Sequence, residues 1–198
     1  MNDQDKILSI EDAFINVGLP LEDENFKDTP KRWFKFIKHY MQPYDPTHDL
    51  KAAFTHDEGK LFADNKQKYG RPLVLQRNIP FRGLCAHHLL PITGHAHVGY
   101  IPNQFVVGLS KISRVVYGVS HSTPSLQETI GNKIADIMYH DLGSHGSMVI
   151  INAQHGCMAC RGIEEPGVDT ITSHLRGVSV SYTHLRAHET KANLVCRL

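Results

Sequence analysis

Residues 81–103 read Phe81-Arg-Gly-Leu-Cys85-Ala-His87-His88-Leu-Leu-Pro-Ile-Thr-Gly94-His95-Ala-His97-Val-Gly-Tyr-Ile101-Pro-Asn103. Cys85 and His88 stand three apart, so one short turn offers a thiolate and an imidazole to the same cation, half of a zinc site. After that turn, His95 to Ile101 alternates and predicts a strand stopped by Pro102-Asn103. Before it, residues 71–79, with Leu73-Val-Leu-Gln-Arg-Asn-Ile79, predict a strand leading in. A second soft pair, Cys157 and Cys160, follows about seventy positions on in Gln154-His-Gly-Cys157-Met-Ala-Cys160-Arg-Gly162. A cation shared by the two pairs closes a long loop.

Together these segments resemble GTP cyclohydrolase I. That family's motif reads Cys-Glu-His-His with a hydrophobic-Pro-x-x-Gly-x-Ala-His continuation, then His-x-Cys and, after three more residues, Arg-Gly. The likeness runs from about Asp28 to Val180. It implies an α+β tunnelling fold: a four-stranded antiparallel sheet with two helices on one face, preceded by N-terminal helices. It also implies a homodecamer of two stacked rings with sites at subunit boundaries. The implied reaction converts GTP and water to formate and 7,8-dihydroneopterin triphosphate. One departure stands inside the motif, where Ala86 replaces the family Glu and removes a polar contact. Ala86 is not a ligand type, so the metal is expected to survive the change.

The chain has 198 residues, 41% hydrophobic and 21% charged, the size and composition of one globular domain. No run of about 18 apolar residues exists to span a membrane. The polar start Met1-Asn-Asp-Gln-Asp-Lys6 does not read as a signal peptide, so a cytoplasmic location is expected. Four cysteines there are metal ligands or free thiols sooner than a disulfide framework. A net charge of +1 gives no long-range pull on nucleic acid or anionic membrane, so any anion must meet a local cluster.

Ile7, Leu8, Ile10, Ala13, Phe14 and Val17 recur at helical spacing up to the stop at Gly18-Leu-Pro20. A second helix is expected from Asp28-Thr29-Pro30, with Pro30 in its first turn, through Tyr40. Residues 1–45 form the N-terminal helical part and 46–180 the catalytic domain; 41–69 is polar and turn-rich and reads as a connection. Arg32 and Lys35 share a helix face that by itself reads as solvated basic surface. Ser110 is expected to cap a helix carrying Lys111 and Arg114, a basic N-terminus suited to phosphate. A helix from about Leu126 to Tyr139 opens on Gln127-Glu128, and Ser147–Ala153 and Thr170–Val180 read as strands. Residues 181–198 resemble the translation of a sequencing-library transposon adaptor and are read as a non-native tail.

Spacing alone admits two metal sites equally: a closed Cys85, His88, Cys157, Cys160 set, or an open Cys85, His88, Cys157 set with water fourth. Flanking His155, Arg161, Glu128 and Lys111 favour the open one. A nucleobase deaminase is excluded because the segment around Cys85 and His88 offers no His-x-Glu and Cys157-x-x-Cys160 lacks the preceding Pro. The resemblance assigns Zn²⁺ to those three ligands and the triphosphate to Arg32, Lys35, Lys111, Arg114 and Arg161, with Ser110 at ribose or phosphate. It puts the purine on Gln127 and Glu128; one carboxylate accepts from both guanine's ring N–H and its exocyclic amine. His155 is the candidate general acid and His87 a second proton-transfer or orienting group. The rival readings are a non-catalytic zinc-stabilised module and a tunnelling-fold enzyme acting on another purine or pterin.

Overall fold

The computed structural model describes residues 1–50, 73–103 and 105–180, with 54–55 as backbone. The expectations for most of 41–69 and for 181–198 lie outside the described residues. The chain divides into two compact units, Met1–Gln42 and Pro43–Leu198.

In the first unit α1 spans Asp3–Asn16 and α2 spans Thr29–His39. Asn2 caps α1 by accepting from the Asp5 N–H, while the Asp5 carboxylate accepts from the Asn2 N–H. Pro30 sits in the first turn of α2 as expected. Asp28 is its N-cap residue but makes no side-chain cap bond and pairs with Arg32 at 3.5 Å. Phe14 of α1 meets Trp33 of α2 edge-on, with centroids 5.8 Å apart.

The second unit opens with α3 (Pro46–Leu50) and β1 (Phe54–Thr55), followed by β2 (Val74–Leu84), β3 (Pro91–Ile101) and β4 (Phe105–Val106). Then come α4 (Leu109–Ser120), α5 (Gln127–Asp136) with a π-helical turn at Ile137–Asp141, β5 (Gly146–His155), the single turn α6 (Gly156–Ala159) and β6 (Asp169–Gly177). Strands β2, β3, β5 and β6 form an antiparallel sheet in that order, and β1 pairs with β4. Alternate residues of the sheet point one way because the pleat has period 2. Phe81, Ile92, Ala96, Val98, Tyr100, Val149, Ile151 and Ala153 thereby form one apolar face. The stripes Ile112-Val115-Val116-Val119 of α4 and Ile130-Ile134-Ala135 of α5 close over it. This is the two-helix, four-strand arrangement of the tunnelling fold. Among the described residues no helix is long and apolar enough to cross a membrane.

Two boundaries differ from expectation. The N-cap of α4 is Gly108 in extended conformation, so Ser110 lies inside the first turn and is not the cap. β6 stops at Gly177 with φ +61°, beyond which Val178–Val180 turns as a 3₁₀ segment.

Gly94 marks the closest approach of β3 to β5. A Cβ there would lie 2.1 Å from the Asn152 carbonyl oxygen and 2.6 Å from the Ala153 Cα, backbone atoms that no rotamer change can move. Gly94→Ala is expected to destabilise the fold by about 1–3 kcal/mol or more, read as a lower urea midpoint.

His97 and His174 are buried, each 8% exposed. Desolvation pushes both imidazoles below the usual histidine range. Arg77 and His95 reinforce this at His97; at His174, Arg176 reinforces it while Glu128 and Asp136 oppose it. A group whose folded pKa is depressed stays neutral while the unfolded chain takes the proton. Stability is therefore full above the unfolded pKa of about 6.5 and falls as pH drops below it. The urea midpoint should fall between about pH 7.5 and 5.5, where ordinary carboxylates stay ionised, and His174→Gln should flatten that slope. A midpoint independent of pH over this window would contradict the assignment.

Candidate active site

The turn between β2 and β3 carries the Cys-x-x-His spacing. It is closed by the Cys85 N–H donating to the Leu90 carbonyl and the Leu89 N–H to the Cys85 carbonyl, both at 2.9 Å, with Leu89 at φ +55°. Register Ile92↔His155 puts the end of β5 beside this turn, and α6 then delivers Cys157. The ligand atoms of Cys85, His88 and Cys157 all lie within 4.8 Å of one another. Cys85 is buried, Cys157 half-buried and His88 exposed. Cys160 stands outside the group, its thiol donating to the Gly156 carbonyl at 2.9 Å.

This donor set suits zinc. Bonds of about 2.3 Å to sulfur and about 2.0 Å to nitrogen put tetrahedral ligands about 3.5–3.8 Å apart, so the trio, within 4.8 Å, has at most about 1.3 Å to close, and the exposed His88 side chain can supply it. Burial, and then the neighbouring Cys85, push the Cys157 thiol up, with Arg161 opposing. A divalent cation is the charge that lets two such adjoining thiols ionise together. Here the Arg161 guanidinium donates to His88 Nε2 at 2.6 Å. His87 Nδ1 lies 3.8 Å from Cys85 Sγ. Ala86 is exposed and contributes no ligand.

His155 stands at the end of β5 with Nε2 2.8 Å from Gln127 Oε1. Burial lowers its pKa and the Glu128 carboxylate opposes the shift, which places Glu128 within electrostatic reach of the ring. Glu128 is exposed in the first turn of α5. Gln127, expected at the purine, is enclosed as a side chain. It is 1% exposed, and its amide nitrogen reaches the carbonyls of Ile151 (3.1 Å) and Thr170 (3.0 Å) and Thr172 Oγ1 (3.1 Å). Its side-chain amide is thereby engaged by groups of this chain. Sequence reading missed this, although Gln127 lies on the same stripe as Ile130 and Ile134.

The expected phosphate cations sit elsewhere. Lys111 and Arg114 pair with Asp49 of α3 at 3.8 and 3.6 Å, and the Tyr44 hydroxyl donates to the same carboxylate at 3.1 Å. Nothing in the sequence pointed to Asp49. α4 runs alongside β2, with Gln76 bonded to Ser113 near its start and Gly83 beside Ser120 at its end. Ser110, Lys111 and Arg114 are thus at the end of α4 remote from the Cys85 turn; Lys111 is about 13 Å of helix rise from Ser120. Within one copy their ion-pair partner is Asp49, not a group of the cysteine cluster. Arg32 and Lys35 are exposed on α2 of the N-terminal unit.

A family model described as GTP cyclohydrolase I matches residues 8–193, which takes in part of the segment beyond residue 180. GTP cyclohydrolase 1 of Carboxydothermus hydrogenoformans is 37% identical over 191 residues, 94% of this chain and 93% of the relative. The same-named protein of Lysinibacillus sphaericus is 40% identical over 164 residues, 82% and 80% of the two chains. Among solved structures, the archaeosine synthase QueF-Like in its apo form aligns with TM-score 0.44 and 14% identity over 53% of this chain and 93% of its own.

Proposed function

Because this chain belongs to the GTP cyclohydrolase I family, we propose that it opens the imidazole ring of GTP by hydrolysis, giving formate and 7,8-dihydroneopterin triphosphate. The observation that carries this reading is the convergence of Cys85, His88 and Cys157 without Cys160, beside His155 and Glu128. Those three residues would hold zinc, and such thiolates suit a reducing compartment such as the cytoplasm. When bound, zinc supplies Lewis acidity and makes water nucleophilic near neutral pH.

The remaining work falls to side chains. Glu128, exposed in the first turn of α5, accepts from the ring N–H and exocyclic amine of guanine, a pattern adenine cannot offer. His155 passes protons at the purine, and His87, beside Cys85, orients or relays. Arg161, which donates to His88 Nε2 here, would be available to the phosphates once His88 held the metal. Lys111, Arg114 and Ser110, with Arg32 and Lys35 of the N-terminal unit, supply further donors, since a triphosphate needs more than one cation at physiological salt.

The separation of Lys111 and Arg114 from the cysteine cluster supports a site completed by a second copy. β2 and β6, strands of 11 and 9 residues, are the outer strands of the sheet among the described residues, a surface on which copies can join sheet to sheet. The homodecamer is the assembly proposed. Incubation with GTP and zinc should release formate and, after oxidation, the fluorescence of neopterin. No product at any zinc loading, together with Cys160 bound to the metal, would make the protein a structural zinc module instead.

A further inference from the structure

Gln127 and His155 form a unit that the ligand chemistry does not explain. The Gln127 side chain is fully enclosed, so its only visible partners are the four groups around it. Two of these, the Ile151 and Thr170 carbonyls at 3.1 and 3.0 Å, can only accept, so the atom facing them is the NH₂ group. Both amide hydrogens are thereby committed, with Thr172 Oγ1 alongside at 3.1 Å. The atom left to face His155 is the carbonyl oxygen Oε1, at 2.8 Å from Nε2. A carbonyl oxygen cannot donate, so Nε2 must carry the hydrogen.

We infer that Gln127 is a positioning residue that locks His155 in its Nε2–H form and leaves Nδ1 as the ring nitrogen that exchanges protons during GTP hydrolysis. The lock is rigid for a physical reason. Turning the amide over would set its NH₂ against the imidazole and its oxygen against two carbonyls, stranding buried polar groups at about 1–3 kcal/mol each. Anchors from two strands hold it, β5 through Ile151 and β6 through Thr170 and Thr172, so the whole end of the sheet fixes the ring. The role in turnover rests on the reading of the site as a GTP hydrolase; the tautomer itself does not.

The test uses the zinc-loaded, assembled protein with ¹⁵N-labelled histidine. The His155 signal, identified by its loss in His155→Gln, should report hydrogen on Nε2. Gln127→Met keeps the volume but removes the acceptor, and should give a mixture of tautomers. It should lower kcat about 10- to 100-fold, a share of the ~10²–10⁴ that a positioned proton-transfer group supplies, with KM for GTP unchanged. Hydrogen on Nδ1 in the unaltered protein would overturn the inference even if Gln127→Met failed to assemble. So would a Gln127→Met protein whose tautomer and kcat match the parent, or whose loss lay wholly in KM. Absence of GTP turnover in the unaltered protein, with the Nε2–H signal present, would instead count against the hydrolase reading alone.

Discussion

Cys157→Ala should lose zinc and GTP turnover together while keeping its fold, and Cys160→Ala should keep all three. Cys157 lies on the short α6 at the rim of the sheet, so removing its sulfur leaves the strands and the α4–α5 face intact, and far-UV circular dichroism should match the parent. The metal, by contrast, would retain one thiolate and one imidazole, too few protein donors for a zinc site. Loss of a group that merely supports a ligand typically costs about 10- to 100-fold in affinity or activity, and loss of the ligand should exceed that. Cys160 is exposed and already bonded to the Gly156 carbonyl, so its removal takes nothing from the cluster. Metal content by elemental analysis and initial rates with GTP read both variants. Equal loss of zinc from the two would mean a closed four-ligand site and would defeat the open-site reading.

The contrast between those cysteines shows where the sequence was informative. Cys-x-x-His and Cys-x-x-Cys are short-range patterns, and a single turn decides what each presents. The choice between three and four ligands depended on whether α6 swung Cys160 inward, which spacing cannot encode. Strands were legible where the residue types alternate, as in His95-Ala-His97-Val98, although the strand is buried on both faces from Ala96 to Ile101. The start of β3 at Pro91 was less so, because Pro91 and Gly94 carry little strand signature. The burial of Gln127 beside exposed Glu128 was hidden for a different reason: adjacent helical residues point about 100° apart, and both are polar. The stripe Gln127-Ile130-Ile134 could have revealed the buried member. Asp49 was beyond reach, since it comes from a turn-rich stretch and finds Lys111 and Arg114 about sixty residues later through tertiary contact alone.

That Asp49 pairing sets up the last expectation. His88→Ala and Lys111→Ala proteins, each inactive alone, should regain activity when their subunits are mixed and reassembled. His88 is needed at the cysteine cluster, whereas Lys111 lies at the far end of α4, held by Asp49. If one copy supplies the cluster and its neighbour the phosphate cations, a site is intact when it draws His88 from one parent and Lys111 from the other. In a random one-to-one mixture this holds for a half times a half of the sites, about a quarter of the turnover of the unaltered protein, because a heterologous contact joins different patches of successive copies. If a single copy supplied both groups, every site would carry one lesion and mixing would restore nothing. The same experiment with Arg114→Ala in place of Lys111→Ala should behave alike, since both cations share the Asp49 carboxylate and one helix face. Recovery with one and not the other would mean that only one of the pair reaches the neighbouring site. The other would then serve chiefly to hold α3 against α4.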